Sequence, residues 1–386
     1  MTDSTREKSA ASQTGGRGPW VRRGIVLALV LAALVWLVVR PPAEQMIHLR
    51  GRTMGTTYSV RCVLDRAQAG DADFCRSLAD AVAAALEEVN ACMSTYRSDS
   101  ELSRLNAHEG SEPVAVSERL LYVLERAVEV SRASDGAFDV TVGPVVNAYG
   151  FGPESRPVTL PSDEQIVQLR ERVGYRLIDI DRAAGTVTKH HPEVFIDLGG
   201  IAKGYGADRV AEAIESKGVI NYLVEVGGEV RVRGRRPTGA LWRVGVEKPT
   251  DEGRRLHCVL ELTDMAMATS GDYRNYYRNN GRRISHTIDP RTGRPVAHAL
   301  ASVTVLAADC LTADAWATAL MVLGPEQGYN VAEREGLATL LLVRAGQDSF
   351  VEKRTPALDT LEASMLRAAD ATPCSAGSDE AVVPAR

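Results

Sequence analysis

Apolar residues recur along the chain at two periods, and the change from one to the other sketches the elements. Between residues 74 and 92 they fall three or four apart, at Leu78, Val82, Leu86 and Val89, which predicts an amphipathic helix ending at Met93-Ser94-Thr95-Tyr96. Residues 99–106 read as a short capped helix, and residues 117–134 as a longer one closed by Asp135-Gly136. Alternation over residues 48–64 predicts one strand, with Met54-Gly55-Thr56-Thr57-Tyr58 in its middle. Residues 138–151 are mixed, 162–173 helical, and 177–190 a hairpin turning near Ala184-Gly185.

An apolar strand, Val194-Phe195-Ile196, then runs into Gly199-Gly200, and a helix follows over residues 207–216. Residues 221–234 predict two strands about a Gly227-Gly228 bulge, and residues 241–247 and 256–262 two more. Residues 265–272 lead through a polar loop to 283–288, and 302–306 is another strand. A strong helix over 312–323 stops at Gly324-Pro325, residues 326–335 are helical again, and 338–343 is the final strand. Strands outnumber the βαβ alternation of a doubly wound sheet, and helices come in pairs, so the fold class is α+β. The lack of a Gly-x-Gly-x-x-Gly fingerprint points the same way.

The N-terminus breaks this pattern. Residues 1–19 are polar and read as a disordered cytoplasmic tail; Trp20-Val21-Arg22-Arg23 then precedes an unbroken apolar run, residues 24–39, closed by Arg40-Pro41-Pro42. With Trp20 and Val21 added and Arg40 snorkelling, residues 20–40 approach the roughly 20 that span a bilayer. The Arg pair predicts that the N-terminus stays inside. No Ala-x-Ala site follows closely, and the first cysteine, Cys62, is too far away for lipid attachment. The expectation is an uncleaved single-pass anchor in a bacterial inner membrane, a globular domain at residues 46–353 facing the periplasm, and a polar tail at 371–386. A net charge of −5 argues against a nucleic-acid partner. Six cysteines match no metal knuckle; Cys62 and Cys75 are a candidate disulfide pair, with free or buried thiols the alternative.

Four stretches carry residue types that a packed core does not need. The first is Asp197-Leu198-Gly199-Gly200-Ile201-Ala202-Lys203-Gly204-Tyr205-Gly206-Ala207-Asp208. Glycines before a helix let backbone groups approach a ligand, and the helix start suits phosphate. Asp197 and Lys203 add one charge of each sign; the bland reading is a tight turn. The second is Ser285-His286-Thr287-Ile288-Asp289-Pro290, where His286 can serve as a base near neutral pH, against a surface histidine beside a capping Asp289. The third is Asp314 and Thr318, four apart on one helix face. A carboxylate, a hydroxyl and a backbone carbonyl, which Gly200 can supply, make a hard oxygen site suited to Mg²⁺. Helix back-bonding by Thr318 and a solvated Asp314 are the alternatives. The fourth is aromatic: Tyr96, Phe138 and Tyr149 can stack on a planar ring with Met54 beside it, or simply pack the core. Ser270-Gly271-Asp272 with His286 also contains serine-hydrolase residue types, but no Gly-x-Ser-x-Gly elbow is present.

Together these stretches resemble one family, the ApbE flavin transferases. The resemblance runs in order through Met54-Gly55-Thr56, Met93-Ser94-Thr95-Tyr96 with Asp99-Ser100-Glu101-Leu102-Ser103, and Gly136-Ala137-Phe138-Asp139-Val140-Thr141-Val142-Gly143-Pro144. It continues with the double-glycine block, Glu225-Val226-Gly227-Gly228-Glu229, Ala268-Thr269-Ser270-Gly271-Asp272-Tyr273-Arg274, the His286 block and Asp314-x-x-x-Thr318. It implies an α+β, ApbE-like (T-fold-related) domain of mixed sheets with flanking helices. It also implies Mg²⁺-dependent transfer of FMN from FAD to a threonine (or serine) hydroxyl of an acceptor protein, with AMP released. By the same resemblance Met54, Tyr96, Ala137, Phe138, Asp139, Asp197, Lys203 and Ile288 would contact FAD. Gly200, Asp314 and Thr318 would hold the metal, and His286 would be the base. Acceptors would be membrane redox-complex subunits. An FAD pyrophosphatase and a non-catalytic flavin-binding protein are the rival readings. Many exported members carry a lipoprotein cysteine directly after the apolar run; here Arg40-Pro41-Pro42 stands there instead.

Overall fold

Eight strands form the central sheet, in the order Gln45–Thr53, Thr56–Leu64, Tyr222–Val226, Glu229–Arg233, Met265–Gly271, Leu300–Ala307, Ala338–Arg344 and Phe350–Arg354. Spatial order follows chain order, and every ladder is antiparallel. The computed structural model describes residues 44–153, 159–250, 253–273, 275–279, 282–346 and 348–370. The expected anchor and both tails lie outside them. Among the described residues no helix is long and apolar enough to cross a membrane.

Period-two side chains put different cores on the two sheet faces. On one face Val60, Cys62, Leu64, Tyr222 and Val224 pack against Leu78, Val82 and Leu86 of helix Ala72–Met93 and Val210 and Ile214 of helix Ala202–Glu215. On the other, Leu223, Val230, Val232 and Leu340 meet the separate hairpin Trp242–Glu247/Leu256–Leu262 and Leu358 of helix Pro356–Asp370. A further cluster joins helices Glu101–Ala107, Glu118–Ala133 and Cys310–Arg334 to Leu198, Ile201, Val303 and Val305.

Several expectations change. The strand expected at 48–64 is a hairpin, turned by Met54 and Gly55 at φ 48° and 70°. A non-glycine residue in the left-handed region is uncommon, and here it aims Met54 at the neighbouring helix. Gly227 and Gly228 are likewise the turn of a hairpin, not a bulge within it. Residues 194–196 join no ladder; the side chain of Asn106 takes the place of a partner strand, accepting from the Ile196 N–H (2.7 Å) and donating to the Ile196 carbonyl (2.8 Å). The buried Lys189 ammonium donates to the carbonyls of Asn106, Pro192 and Val194 at 2.9–3.3 Å and holds the same segment from behind.

The helix expected at 207–216 starts at Ala202, because tertiary packing overrides the poor helix propensity of Gly204 and Gly206. The helices expected at 312–323 and 326–335 are both present within the span Cys310–Arg334, parted where Gly324 (φ 81°) leaves the helical region just before Pro325. A strand, Phe350–Arg354, and a helix, Pro356–Asp370, follow the strand taken as final. Cys62 and Cys75 are free, as are Cys92, Cys258 and Cys310.

Candidate active site

The double-glycine block turns where it does because Asp197 Oδ1 accepts from the Gly199 N–H at 2.8 Å. The Asp197 N–H in turn donates to the Val140 carbonyl (2.7 Å), which fastens the block to the Asp139 loop. Burial pushes the Asp197 carboxyl above the usual carboxylate range, while the Gly199 N–H and the nearby Lys203 pull it down. A side chain at Gly200 would put its first carbon 3.2 Å from Phe138 Cε2 and from Thr318 Cγ2 and Oγ1, so this turn lies closely against the helix that carries Thr318.

The following helix, Ala202–Glu215, has Ile201 at its N-cap and no side-chain cap of its own. The Gly204 N–H donates instead to Asp314 Oδ2 at 3.0 Å. Asp314 is 2% exposed. Lys203 Nζ lies 3.6 Å from Asp314 Oδ2 and 3.4 Å from Glu229 Oε1, and donates to the Gly199 carbonyl at 3.3 Å. Ser270 Oγ lies 3.3 Å from Thr318 Oγ1. Gly200, Lys203, Asp314 and Thr318 are therefore one site, reached from two helices and a strand end. Among the described residues no three His, Cys, Asp or Glu side chains gather as a metal cluster. The donor set is one carboxylate, one hydroxyl and a backbone carbonyl beside a lysine. Such a set suits a hard cation that keeps water and phosphate oxygens in its shell, as Mg²⁺ does, and not the nitrogen and sulfur donors zinc prefers.

Met54 belongs here as well: a carbon on Gly206 would lie 2.8 Å from Met54 Cε. Phe138 is buried beside Gly200, and Ala137 precedes it, both in the core. Tyr96 is 72% exposed as a residue, unlike the usual core aromatic, and partial burial of its hydroxyl, with the Asp197 carboxylate, pushes its pKa up. Its position follows from Ser94, whose carbonyl accepts from Ser100 Oγ (2.5 Å) and Ser103 Oγ (3.1 Å). Tyr149 sits with Val145, Ile166, Ile284 and Ile288 in a separate apolar cluster and is core.

Asp139 follows Ala137 and Phe138 in the same loop and is buried. Its carboxylate accepts from Thr141 N–H (2.8 Å), Thr141 Oγ1 (2.7 Å) and Tyr175 N–H (2.6 Å). Burial raises its pKa against those three donors. The side chain is a clamp that shapes the loop carrying Ala137 and Phe138.

His286 follows directly on the hairpin Tyr276–Asn279/Arg282–Ser285. Its Nδ1 lies 3.0 Å from the Asn275 carbonyl oxygen. A carbonyl oxygen only accepts, so the proton sits on Nδ1 and Nε2 is the basic nitrogen. Ile288 is buried two residues on, and Arg291, in the same turn, approaches Gly136, next to Ala137. Asp272 forms an ion pair with Arg344 (3.0 Å), which engages the carboxylate that a serine-hydrolase arrangement would need beside His286.

In the sequence Glu229 and Asp208 stand in the family blocks without a part, and Ser270 has one only in the serine-hydrolase alternative. The signal for Glu229 was a carboxylate directly after two glycines; the signal for Asp208 was its spacing of four from Gly204. Lys189 and Asn106 carried no signal.

The ApbE family pattern matches residues 54–341. An FAD:protein FMN transferase of Vibrio cholerae is 47% identical over 325 residues, 84% of this chain and 95% of that protein. Its counterpart of the same name in Escherichia coli K12 is 39% identical over 341 residues, 86% and 95% of the two chains. The solved flavin transferase ApbE from Vibrio cholerae superposes with a TM-score of 0.75 at 44% identity, covering 82% of this chain and 99% of that one. The ApbE protein from Thermotoga maritima gives 0.72 at 31% identity, covering 82% and 99%.

Proposed function

This chain belongs to the ApbE family and is a transferase, and we propose that it splits FAD in a Mg²⁺-dependent reaction and joins FMN to a threonine (or serine) hydroxyl of an acceptor protein, releasing AMP. The observation that carries the reading is the convergence of Gly200, Lys203, Asp314 and Thr318, with the exposed Tyr96 within electrostatic reach of Asp197 in the same turn.

Phosphoryl transfer asks chiefly for positioning and charge neutralisation. Gly200, Asp314 and Thr318 would hold Mg²⁺, which when bound neutralises charge on the pyrophosphate. Lys203 brings a second positive charge to the same oxygens. The double-glycine turn lets the pyrophosphate approach the backbone, and the N-terminus of helix Ala202–Glu215 faces it with its positive end. Tyr96 stacks on a planar ring of FAD, with Met54 and Phe138 bordering the site. His286 takes the acceptor hydroxyl proton on Nε2, worth on the order of 10²–10⁴ in rate. Residues 20–40 anchor the chain in the inner membrane, with the described domain on the periplasmic side and membrane redox subunits as acceptors.

Incubation with FAD, Mg²⁺ and a threonine-bearing acceptor tests the reading. Covalent flavin fluorescence on a denaturing gel with stoichiometric AMP is the expected result. AMP without labelled acceptor would make the protein an FAD pyrophosphatase, and intact FAD a flavin-binding protein.

A further inference from the structure

The two helices that meet at the site are joined by hydrogen bonds at two levels. At the inner level the Gly204 N–H donates to Asp314 Oδ2 at 3.0 Å. At the outer level the Cys310 N–H lies 2.9 Å from both carboxylate oxygens of Asp208, and the Leu311 N–H donates to Asp208 Oδ2 at 2.9 Å. Gly204 and Asp208 are four residues apart on one helix, and Cys310 and Asp314 four apart on the other, so each pair shares a face. Residue 204 faces 314, and 208 faces 310. Between the two levels a carbon on Gly204 would lie 2.3 Å from the Cys310 carbonyl oxygen, so backbone touches backbone and no side chain can absorb a slip.

Helix Cys310–Arg334 already has its own N-cap, Asp309, which accepts from the Thr312 N–H at 2.8 Å. Asp208 is therefore not needed to start that helix; it ties the helix to its neighbour. Asp208 and Arg231, 3.6 Å apart, line a cavity of about 620 Å³ whose walls include none of Gly200, Lys203, Asp314 or Thr318. The carboxylate thus acts from outside the site.

We propose that Asp208 is a positioning residue for the divalent-cation site: by holding the first turn of helix Cys310–Arg334 it sets where Asp314 and Thr318 stand relative to Gly200. This rests on the cation reading above. The test uses the full-length chain with Mn²⁺ as probe, free Mn²⁺ being followed by its paramagnetic resonance signal. FAD affinity is read separately by quenching of flavin fluorescence without metal. Wild type should bind Mn²⁺ and Asp314→Ala should not; a wild type that fails to bind sinks the cation reading and this proposal together.

Given binding, Asp208→Ala should weaken Mn²⁺ affinity about tenfold, the loss of one cap-type interaction. FAD affinity should stay within about twofold, a change under about half a kcal/mol. Asp208→Asn, whose amide oxygen still accepts, should stay within about threefold for Mn²⁺. Wild-type Mn²⁺ affinity in Asp208→Ala, or equal losses of Mn²⁺ and FAD affinity, overturns the proposal. If Asp208→Ala does not fold, Asp208→Glu decides, since it keeps the charge but is one methylene too long. About tenfold weaker Mn²⁺ binding supports the positioning role, and wild-type affinity overturns it.

Discussion

Asp208 has a further consequence at the level of its own proton. Burial holds its carboxyl at about 7, against the Cys310 and Leu311 N–H groups and Arg231, which lower it, while Asp309 raises it further. In the unfolded chain it titrates near 3.9. The folded state therefore binds a proton that the unfolded state has released, so this group favours folding most at low pH, and that advantage is lost as pH rises from about 4 to 7. Asp208→Asn cannot lose it. The melting temperature of the variant should gain on wild type across that window and stay parallel above it; parallel curves throughout would show no raised carboxyl. His286 makes a different prediction, because its role is in chemistry and not in binding. His286→Ala should slow acceptor labelling in single-turnover experiments on the order of 10²–10⁴ while FAD affinity stays near wild type. A wild-type rate would remove it as the base.

Elements show most clearly where residue patterns misled. The alternation of residues 48–64 looks the same for one strand as for a hairpin, because Met54 is not a usual turn residue and Gly55 by itself fits a strand interior as well; the φ values of 48° and 70° reveal the turn. Gly204 and Gly206 count against a helix by propensity, yet both are helical because Cys310 and Met54 press on them. The strand expected at 194–196 has the right apolar residues, but its partner is a single side chain, Asn106, ninety residues earlier, and no local pattern reports that. Lys189 is legible only in three dimensions, and a prediction follows from it. Lys189→Met would leave three inward carbonyls without their donor and cost about 2–4 kcal/mol, read from the urea midpoint. Amide exchange at Ile196 and Asp197 should rise more than in strand Leu300–Ala307. Equal protection in both places would mean that Lys189 does not hold the segment.

At the scale of the whole molecule, the functional blocks were readable because they are local: glycine pairs, an i,i+4 oxygen pair, a histidine beside hydroxyls. The scaffold that joins them is not local. Strand order in the eight-stranded sheet, the hairpin on its outer face and the C-terminal strand and helix depend on pairings between distant segments. Asp139 shows the difference within one residue: its block was recognisable, but the carboxylate serves the backbone of Thr141 and of the distant Tyr175. The residues from Glu44 onward cluster as one unit. A chain beginning at Glu44 should accordingly unfold in one calorimetric transition and keep FAD affinity within about twofold of the full chain. Two separated transitions would contradict a single cooperative unit.

The central claim is that the double-glycine turn and the helix bearing Asp314 and Thr318 create a cation site at which FAD is split. Anomalous diffraction from crystals grown with FAD and Mn²⁺ tests it most directly. The account predicts one strong peak in contact with the Gly200 carbonyl, Asp314 and Thr318 and with a flavin-nucleotide phosphate. A Mn²⁺ peak elsewhere on the nucleotide, or bound FAD with no peak at those three residues, would contradict it.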